Sequence, residues 1–371
     1  MSKLYTAIGL MSGTSGDGID ASIIQSDGEE KVNILEDFYS IYSEEINQEI
    51  SDLKNFINNK YDLEKHKDSL LKLEKKITQL HAEVVLEIVK RSNLKKENVD
   101  VIGFHGQTIY HNYEEKISKQ LADGKMLKNL TNVNVVNNFR ANDIKEGGNG
   151  APLSPIYHKI LNKKLNLGLP VLYLNIGGIS NITYIDRENK ITSFDWGPGN
   201  FLIDKFLKIK SDNKKKFDKD GDIAFKGSIN KIILESYLAD PFYELPHPKT
   251  LHVNDFSLSL VRGISLEDSI STLSELTART IADAIKIFNE SPGKIILCGG
   301  GRKNKFFLER ISDLTKIKAQ HIDEYKINGD FIESQAFAYL AIRSLLKKPL
   351  TYPSTTGVLK PCLGGTMFKI I

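Results

Sequence analysis

The sequence is poor in the features that mark several large classes of protein. It has only two cysteines, Cys298 and Cys362, and neither belongs to a Cys-x-x-Cys pair. No disulfide framework or thiolate zinc site is therefore indicated, and a reducing compartment is favoured. The 50 lysines and arginines nearly balance the 47 aspartates and glutamates. A formal net charge of +3 on 371 residues gives no reason to expect nucleic acid or an anionic membrane as a partner.

Targeting signals and long apolar runs are missing as well. The first residues, Met-Ser-Lys-Leu-Tyr, lack the basic start and apolar core of a secretory signal. No segment approaches the ~20 apolar residues that are needed to cross a bilayer. The histidines show no His-Glu-x-x-His or other metal spacing. We therefore expect a cytoplasmic protein without a zinc centre.

Two common nucleotide motifs are also absent. No Gly-x4-Gly-Lys-[Ser/Thr] occurs, which excludes a P-loop, and no Gly-x-Gly-x-x-Gly follows a strand, which argues against a dinucleotide fold. Any ATP would have to be held by glycine turns of another kind.

What is present is a chain long enough for two domains, whose two halves open alike. Strand-like Tyr5–Met11 and Ala21–Ser26 flank a polar glycine turn, and Pro170–Asn175 and Asn181–Ile185 flank another. Two related domains of mixed strands and helices are predicted: residues 1–130, with 345–371 packing back on them, and 131–344. Further strands are predicted at 32–43, 99–104, 191–194 and 294–298, and helices within 44–94, 266–288 and 330–346.

The first glycine turn is a long polar stretch that suits phosphate binding. Its glycines let backbone N–H groups approach an anion, and its hydroxyls add donors for phosphate oxygens. Asp17 and Asp20 could hold Mg²⁺ through water. A tight hairpin turn is an equally good interpretation of the composition, but a hairpin needs fewer residues than this stretch has. The motif is Gly13-Thr14-Ser15-Gly16-Asp17-Gly18-Ile19-Asp20.

Two later glycine motifs could complete a nucleotide site. Gly177-Gly178 ends a strand much as the first turn does, although an ordinary hairpin is the better interpretation of this motif without the first one. Gly299-Gly300-Gly301 follows a buried-type strand and would let a flat group such as adenine lie against the backbone. A flexible connection is the alternative for this triplet.

Several polar residues are candidates for the acceptor side of a reaction. Asp195, before a glycine turn, suits a general base, or it could simply begin that turn. Arg140, followed by the 147–152 glycine loop, could bind a carboxylate, or it could be a surface arginine. His105 and Gln107 offer hydroxyl-binding groups, although a lone histidine is more often structural.

Together these segments resemble the anhydro-N-acetylmuramic acid kinase family of the sugar kinase/heat-shock chaperone/actin superfamily. The similar blocks follow the family's order over nearly the whole chain. They are MSGTSGDGID (11–20), GFHGQT (103–108), NFRANDIKEGGNGAPLSP (138–155), LNIGGISNIT (174–183), FDWGPGN (194–200), DKDGDIAFKG (218–227), LCGGGRKN (297–304) and ESQAFAYLA (333–341).

The resemblance implies a fold and a reaction. The fold is α/β, with two actin-like (ribonuclease H-like) domains, mixed sheets flanked by helices, and an active-site cleft between the domains that holds ATP with Mg²⁺ at its phosphates. The implied enzyme opens the anhydro ring of 1,6-anhydro-N-acetylmuramic acid with water while it phosphorylates the freed 6-oxygen, in cell-wall recycling. The family also suggests a homodimer.

The resemblance further implies a role for each matched residue. Asp195 is the base, the 13–20 turn binds phosphate, and Asp17 holds the metal through water. Nucleotide contacts fall on Gly177, Gly178, Gly299, Gly300, Gly301 and Asn304. Substrate contacts fall on His105, Gln107, Arg140, Gly150, Asn200 and Glu333.

This chain departs from the family pattern at three positions. Gly16 stands where a larger apolar residue is usual and is expected to loosen the phosphate turn. Asn149 replaces the common glutamine, and Trp196 replaces threonine beside the base, where it could reshape the sugar pocket. A kinase of this fold for another amino sugar or a small carboxylate, or an ATP-gated binding protein, remains the alternative.

Overall fold

The computed structural model describes residues 3–13, 15–251 and 256–370. The chain forms two compact units, Met1–Lys164 with Phe331–Ile371, and Leu165–Asp330. Thr14 of the first glycine turn lies outside the described residues.

The described residues of both units form strands and helices. The strands are β1 (Tyr5–Ser12), β2 (Gly18–Ser26), β3 (Val32–Ile41), β4 (Val101–Asn112), β5 (Ile117–Leu121), β6 (Val135–Asn137), β7 (Val171–Ile176), β8 (Ile179–Ile185), β9 (Ile191–Pro198), β10 (Lys294–Cys298), β11 (Ala319–His321) and β12 (Thr366–Phe368). The α-helices are α1 (Glu44–Phe56), α2 (Lys60–Lys65), α3 (Lys67–Arg91), α4 (Gly124–Thr131), α5 (Ala141–Lys145), α6 (Pro155–Leu165), α7 (Phe201–Lys210), α8 (Lys231–Leu238), α9 (Leu266–Ile285), α10 (Lys305–Thr315), α11 (Ile332–Leu345) and α12 (Pro353–Thr356).

The sheet of the first unit has the strand order β12-β6-β4-β1-β2-β3, and β5 pairs with β4. The first three strands along the chain are antiparallel, whereas β4 lies parallel to β1 and β6 lies parallel to β4. The C-terminal β12 pairs with β6 and so returns the chain end to this sheet.

The sheet of the second unit has the order β11-β10-β7-β8-β9. Strand β8 lies antiparallel to both β7 and β9. Strand β10 lies parallel to β7, and β11 lies parallel to β10. Both sheets therefore contain the same 3-2-1-4-5 arrangement, which is the ribonuclease H-like topology of actin-like domains. The predicted α/β fold with two mixed sheets flanked by helices is confirmed.

Helix α11 lies directly on the first sheet because two strands carry glycine where it crosses. A Cβ on Gly9 of β1 would overlap the carbonyl oxygen of Ser334, and a Cβ on Gly103 of β4 would overlap that of Phe337. Side chains at these two positions would push the helix away from the sheet. The two glycines therefore allow α11 to pack in direct contact with β1 and β4. The helix begins at Ile332, so this packing places Glu333 in its first turn.

Each unit has its own hydrophobic core. In the first unit, α1 shows how the sequence builds this core: Ser43 caps the helix by accepting from the N–H of Ile46, and Glu44 and Glu45 favour the N-terminal end of the dipole. Its buried residues Ile46, Ile50 and Leu53 recur at helical spacing. No helix of the described residues is long and apolar enough to cross a membrane.

The bounds of the units differ from the predicted domains. The predicted boundary at 130/131 falls within the last turn of α4, whereas the compact units change at 164/165 and again at 330/331. The reason lies in pairing across the sheet: β6 joins β4 and thereby keeps 135–137 in the first unit, and α11 returns to β1 and β4. Segment 345–371 belongs to the first unit.

Candidate active site

The first glycine turn joins β1 to β2 and is braced from three sides. Gly16 donates its N–H to the carbonyl oxygen of Gly13 (3.1 Å), and the Gln107 amide donates to the same oxygen (2.9 Å). Asn47 of α1 donates to the carbonyl oxygen of Gly16 (2.8 Å). Gln107, predicted to bind substrate, thus supports the turn. Its Oε1 has no hydrogen-bond partner among the described residues.

The conformation of Gly16 contradicts the expected loosening of the turn. The residue has φ +72°, in the left-handed region that favours glycine, and a Cβ there would come within 3.0 Å of the Ile50 side chain. Both its N–H and its carbonyl group are hydrogen-bonded, so Gly16 makes a tight turn possible.

Ser12, the residue just before the turn, contacts two buried polar side chains. The Ser12 hydroxyl lies 2.7 Å from the Tyr42 hydroxyl and 3.4 Å from Nε2 of His81. His81 Nδ1 lies 2.8 Å from the carbonyl oxygen of Ile77, and burial lowers the pKa of His81 to about 4. His81 is therefore neutral near pH 7 and can accept from Ser12. Sequence reasoning did not identify this pair, because α3 and β1 are far apart in the chain.

Asp17 and Asp20 are the acids of this turn, and their chemistry fits Mg²⁺. Asp17 accepts a hydrogen bond from the Ser15 hydroxyl, and its backbone carbonyl accepts from the N–H of Tyr42 (2.9 Å). In the described part of the chain, no cluster of three or more His, Cys, Asp or Glu residues could cage a metal. A site with few carboxylates suits Mg²⁺, which keeps several waters and binds substrate phosphates.

Arg140 is held in one orientation by two acceptors. Its Nε donates to Nε2 of His105 (3.1 Å) and its Nη1 donates to the carbonyl oxygen of Gly150 (2.7 Å). His105 Nδ1 faces the carbonyl oxygen of Gly106 at 3.0 Å, and the ring stacks on Phe337. Burial, together with the charge of Arg140, holds the pKa of His105 well below its usual range. Both ring nitrogens of neutral His105 are used, so His105 orients Arg140 here.

Asp143 organises the 147–150 loop. The sequence alone indicated no role for this residue. The Asp143 carboxylate is 1% exposed and accepts from the N–H of Gly150 (2.7 Å) and from the hydroxyls of Thr351 (2.5 Å) and Thr356 (2.6 Å). It therefore fixes the residue whose carbonyl group holds Arg140. The signal was not readable from the sequence because the two threonines lie more than 200 positions away.

Glu333 lies close enough to Arg140 for their charges to interact. Although its side chain is accessible to solvent, the protein atoms around it raise the pKa of Glu333, and the charge of Arg140 opposes that rise. The first unit thus brings together Arg140, His105, Gly150 and Glu333.

In the second unit, the Gly177-Gly178 turn is braced by Asn200. The Asn200 backbone N–H donates to the carbonyl oxygen of Gly177 (2.8 Å), and its side-chain amide donates to Gly177 (3.0 Å) and Ile176 (3.3 Å). Asn200 precedes α7, so the N-terminal end of that helix packs on the turn. Asn200, predicted to contact substrate, has a bracing role in this structure.

The glycine triplet after β10 packs on the end of β7. A Cβ on Gly299 would overlap Oδ1 of Asn175, and one on Gly301 would overlap Ile176, whereas one on Gly300 would meet no described atom within 4 Å. Packing therefore explains two of the three glycines. Asn304, predicted to contact nucleotide, caps α10 by accepting from the N–H of Phe306 (3.0 Å).

Arg302 fixes the conformation of this triplet. The side chain is 2% exposed and donates to Asp323 (2.6 Å and 3.0 Å), to Asp330 (2.7 Å) and to the carbonyl oxygen of Gly299 (3.0 Å). Hydrogen bonds between charged groups are strong, and the guanidinium plane gives them direction. Arg302 lies in the 297–304 block that resembles the family. Its acidic partners, Asp323 and Asp330, could not be predicted from the sequence.

Replacing Gly177 with alanine is expected to weaken ATP binding and leave the fold intact. A Cβ there would lie no closer than 3.6 Å to a described atom, and φ is not in the left-handed region. If phosphate approaches this backbone, the added methyl group should raise KM for ATP several-fold. Steady-state kinetics and thermal unfolding check this expectation.

Two matched variants separate ligand approach from packing. Gly301→Ala should lower the free energy of unfolding by about 1–3 kcal/mol, because its methyl group meets Ile176. Gly263→Ala, at an exposed position with no described atom near its Cβ, should change neither property. Wild-type KM for ATP in Gly177→Ala would contradict the assignment.

Asp195 lies near the end of β9 and is 7% exposed. Its backbone N–H donates to the carbonyl oxygen of Lys249 (2.9 Å), and its Oδ2 accepts from the N–H of Leu251 (3.1 Å). One carboxylate oxygen is thus oriented by the segment that runs beside β9. A fixed carboxylate at a strand end has the geometry that a general base needs.

Asn181 is a neighbour of Asp195 that the sequence interpretation did not single out. It is the cross-strand partner of Asp195 in the β8/β9 pair, so the two side chains are close. Asn181 Oδ1 is buried without a partner among the described residues. Reading the hairpin register from the sequence could have found it.

Trp196 is a core residue of the second unit. It is 6% exposed and packs against Phe194 and Tyr243, with ring centroids 5.5 Å and 6.3 Å away. The register of β8 and β9 shifts here: Asn181 faces Asp195 and Ser180 faces Gly197, which makes Trp196 the extra residue of a β-bulge. Trp196 therefore has a packing role, and its effect on the sugar pocket stays a prediction.

Comparisons with known proteins agree on one family. A model of the anhydro-N-acetylmuramic acid kinase family matches residues 5–370. A protein of Pelagibacter ubique (strain HTCC1062) named anhydro-N-acetylmuramic acid kinase is 46% identical over 379 residues, covering 100% of both chains. Proteins of the same name from Zymomonas mobilis subsp. mobilis and Agrobacterium fabrum are each 37% identical, over 98% and 100% of this chain and 100% of their own.

Solved structures resemble the chain more distantly. The component A of (R)-2-hydroxyglutaryl-CoA dehydratase from Acidaminococcus fermentans matches 92% of this chain and 99% of its own, at 11% identity and a TM-score of 0.47. A similarity of this size supports no inference about function.

Proposed function

Because the chain belongs to the anhydro-N-acetylmuramic acid kinase family, we propose that it is an ATP-dependent kinase of 1,6-anhydro-N-acetylmuramic acid. The product is N-acetylmuramic acid 6-phosphate, formed in cell-wall recycling. The observation that carries the proposal is the family match over residues 5–370. The oriented carboxylate of Asp195 and the fixed guanidinium of Arg140 support it.

The reaction joins a hydrolysis to a phosphoryl transfer. A water oxygen attacks the anomeric carbon, and the bond from that carbon to O6 breaks. O6 then takes the γ-phosphoryl group, and ADP leaves. Asp195 accepts the proton of the attacking water, which makes that oxygen a better nucleophile as the bond forms. The hydrogen bond from the Leu251 N–H to Oδ2 fixes the direction of the carboxylate.

The two glycine turns are assigned to the nucleotide. On the strength of the family resemblance, backbone N–H groups of each turn are assigned to phosphate oxygens, and the glycine triplet is assigned to adenine. Mg²⁺, held through water by Asp17 and by the phosphates themselves, would neutralise charge that develops on the γ-phosphoryl group. Gln107 acts by holding the carbonyl oxygen of Gly13, so that the turn keeps its shape when ATP leaves.

Arg140 is assigned to the lactyl carboxylate of the sugar. Nε donates to His105 and Nη1 donates to Gly150, so the guanidinium is ordered before a substrate binds. A guanidinium that is already ordered loses less conformational entropy when it binds an anion. Glu333 is assigned to the same substrate. Mg²⁺, a homodimer and a cytoplasmic location rest on the family resemblance.

Product analysis tests the proposed function directly. The protein is incubated with ATP, Mg²⁺ and 1,6-anhydro-N-acetylmuramic acid, and the product is identified by mass. We expect a product that has gained both one water and one phosphoryl group, with one ADP for each. Gain of the phosphoryl group alone would show simple phosphorylation of an intact anhydro ring. ADP formation without any sugar product, or turnover only with another amino sugar or a small carboxylate, would overturn the assignment of the substrate.

A further inference from the structure

Lys249 is a buried lysine in the second unit. Its side chain is 6% exposed, and Nζ donates to the carbonyl oxygens of Phe242 (2.7 Å) and Tyr243 (3.2 Å). Lysine is almost never this buried unless it is paired with an acid. Throughout the described residues, however, no carboxylate forms an ion pair with Lys249. Among the described residues, the partners of the ammonium group are therefore neutral.

Two aromatic rings complete the surroundings of this ammonium group. Nζ lies 4.0 Å from the ring centroid of Trp196 and 4.4 Å from that of Phe242. The negative face of an aromatic ring attracts a cation, and tryptophan does so best. Two carbonyl oxygens and two ring faces therefore hold Nζ. Trp196, which stands where threonine is usual in the family, therefore has the ammonium group of Lys249 as its cation–π partner.

The backbone of the same residue lies against Asp195. The carbonyl oxygen of Lys249 accepts the backbone N–H of Asp195, and two residues later the N–H of Leu251 donates to the Asp195 carboxylate. The side chain of Lys249 is thus the anchor of a short segment, residues 249–251, that sets the direction of the carboxylate.

From this geometry we propose that Lys249, held between Trp196 and Phe242, is a positioning residue for Asp195. Its anchored side chain keeps residues 249–251 against β9, so that the Leu251 N–H points at Oδ2 of the carboxylate. The inference rests on the proposed function, because the role of Asp195 as base belongs to that proposal. Lys249 itself touches neither substrate nor nucleotide in this account.

The protonation of Lys249 gives the proposal a pH signature. Burial lowers the pKa of Lys249 to about 8. Deprotonation removes the attraction between cation and rings, so kcat of the wild type should decline as pH rises through about 8. Among the described residues, the titratable groups on the elements that contact Lys249 are Asp195 on β9, Tyr243 and Glu244 on the turn Pro241–Glu244, its cap Asp240, and His247 in the segment that leads to Lys249. Burial, with Asp240 and Asp283 nearby, raises the pKa of Tyr243, so Tyr243 stays neutral in this range.

Lys249→Met tests the proposal in the full-length protein with ATP and the anhydro sugar. Methionine keeps much of the stem but has no charge and no N–H group. We expect kcat to fall about tenfold, since small misplacement of a catalytic group is costly, while KM for ATP stays within about twofold. The decline near pH 8 should disappear. Lys231→Met, at an exposed position of α8, is the matched control and should match the wild type.

A second variant, Trp196→Phe, tests the proposal if Lys249→Met does not fold. Trp196→Phe retains an aromatic ring with a weaker attraction for the cation, so the decline near pH 8 should move to lower pH and kcat should fall several-fold. Wild-type kcat and an unmoved pH profile in either folded variant would overturn the proposal. An inactive wild-type protein would instead refute the proposed function, so the two failures are distinguishable.

Discussion

Replacing Asp195 with asparagine is expected to lower kcat on the anhydro sugar by about a hundredfold or more, because the attacking water loses its proton acceptor. The substitution is nearly isosteric. An asparagine Oδ1 can still accept the hydrogen bond from Leu251 that Asp195 Oδ2 now accepts (3.1 Å), so the geometry should survive while the chemistry does not. Coupled measurement of ADP release gives kcat, and nucleotide titration should give a wild-type affinity.

A matched control guards this experiment against a general loss of fold. Asp212→Asn makes the same chemical change at an exposed residue with φ +48°, where asparagine is well tolerated, and should have wild-type kinetics. Turnover of Asp195→Asn at the wild-type rate would remove Asp195 from the role of base. Loss of nucleotide affinity together with kcat would point to a structural effect instead.

Replacing Arg140 with methionine is expected to lower kcat/KM for the anhydro sugar about 50-fold, which is the loss that follows when a hydrogen-bonded charge pair is broken. KM for ATP should not change. Arg140→Lys should recover little of the loss, since one ammonium group cannot serve His105, Gly150 and a carboxylate at once. The exposed Arg262→Met is the control for removal of a guanidinium elsewhere.

An altered substrate shows whether Arg140 recognises the lactyl carboxylate. The 1,6-anhydro derivative of N-acetylglucosamine lacks the lactyl group but keeps the anhydro ring. Wild-type protein should use it poorly, and Arg140→Met should use it about as well as the wild type does. An equal 50-fold loss on both sugars would mean that Arg140 supports the fold of the site without contacting the carboxylate.

Long, patterned elements could be predicted from the sequence. Strands β1, β2, β7 and β8 were expected because apolar residues flank glycine turns, and the structure has them at Tyr5–Ser12, Gly18–Ser26, Val171–Ile176 and Ile179–Ile185. The predicted helical stretch 44–94 contains α1 to α3. The three-residue strands β6, β11 and β12 carry too few residues to show alternation, and β5 (Ile117–Leu121) is half polar. The missed β6 is also why the domain boundary was placed too early.

Some residues of the candidate site could be predicted from the sequence, and others could not. Asp195, Arg140 and the glycine turns could be named because their residue types suggest chemistry in a short stretch. Asp143 and Lys249 could not, since each acquires its role from partners that only the folded chain brings near. Hydrogen bonds also add structural roles for two predicted residues: His105 orients Arg140, and Asn200 braces Gly177.

The return of the C-terminal segment to the first unit has a consequence for the order in which the protein matures on the ribosome. The second unit, Leu165–Asp330, is contiguous and has all five strands of its sheet once residue 330 has emerged. The first unit still lacks α11, β12 and the hydroxyls of Thr351 and Thr356 that hold Asp143. Although synthesis usually lets the N-terminal part fold first, here the later unit can finish earlier. A nascent chain would remain inactive until its last few dozen residues are released.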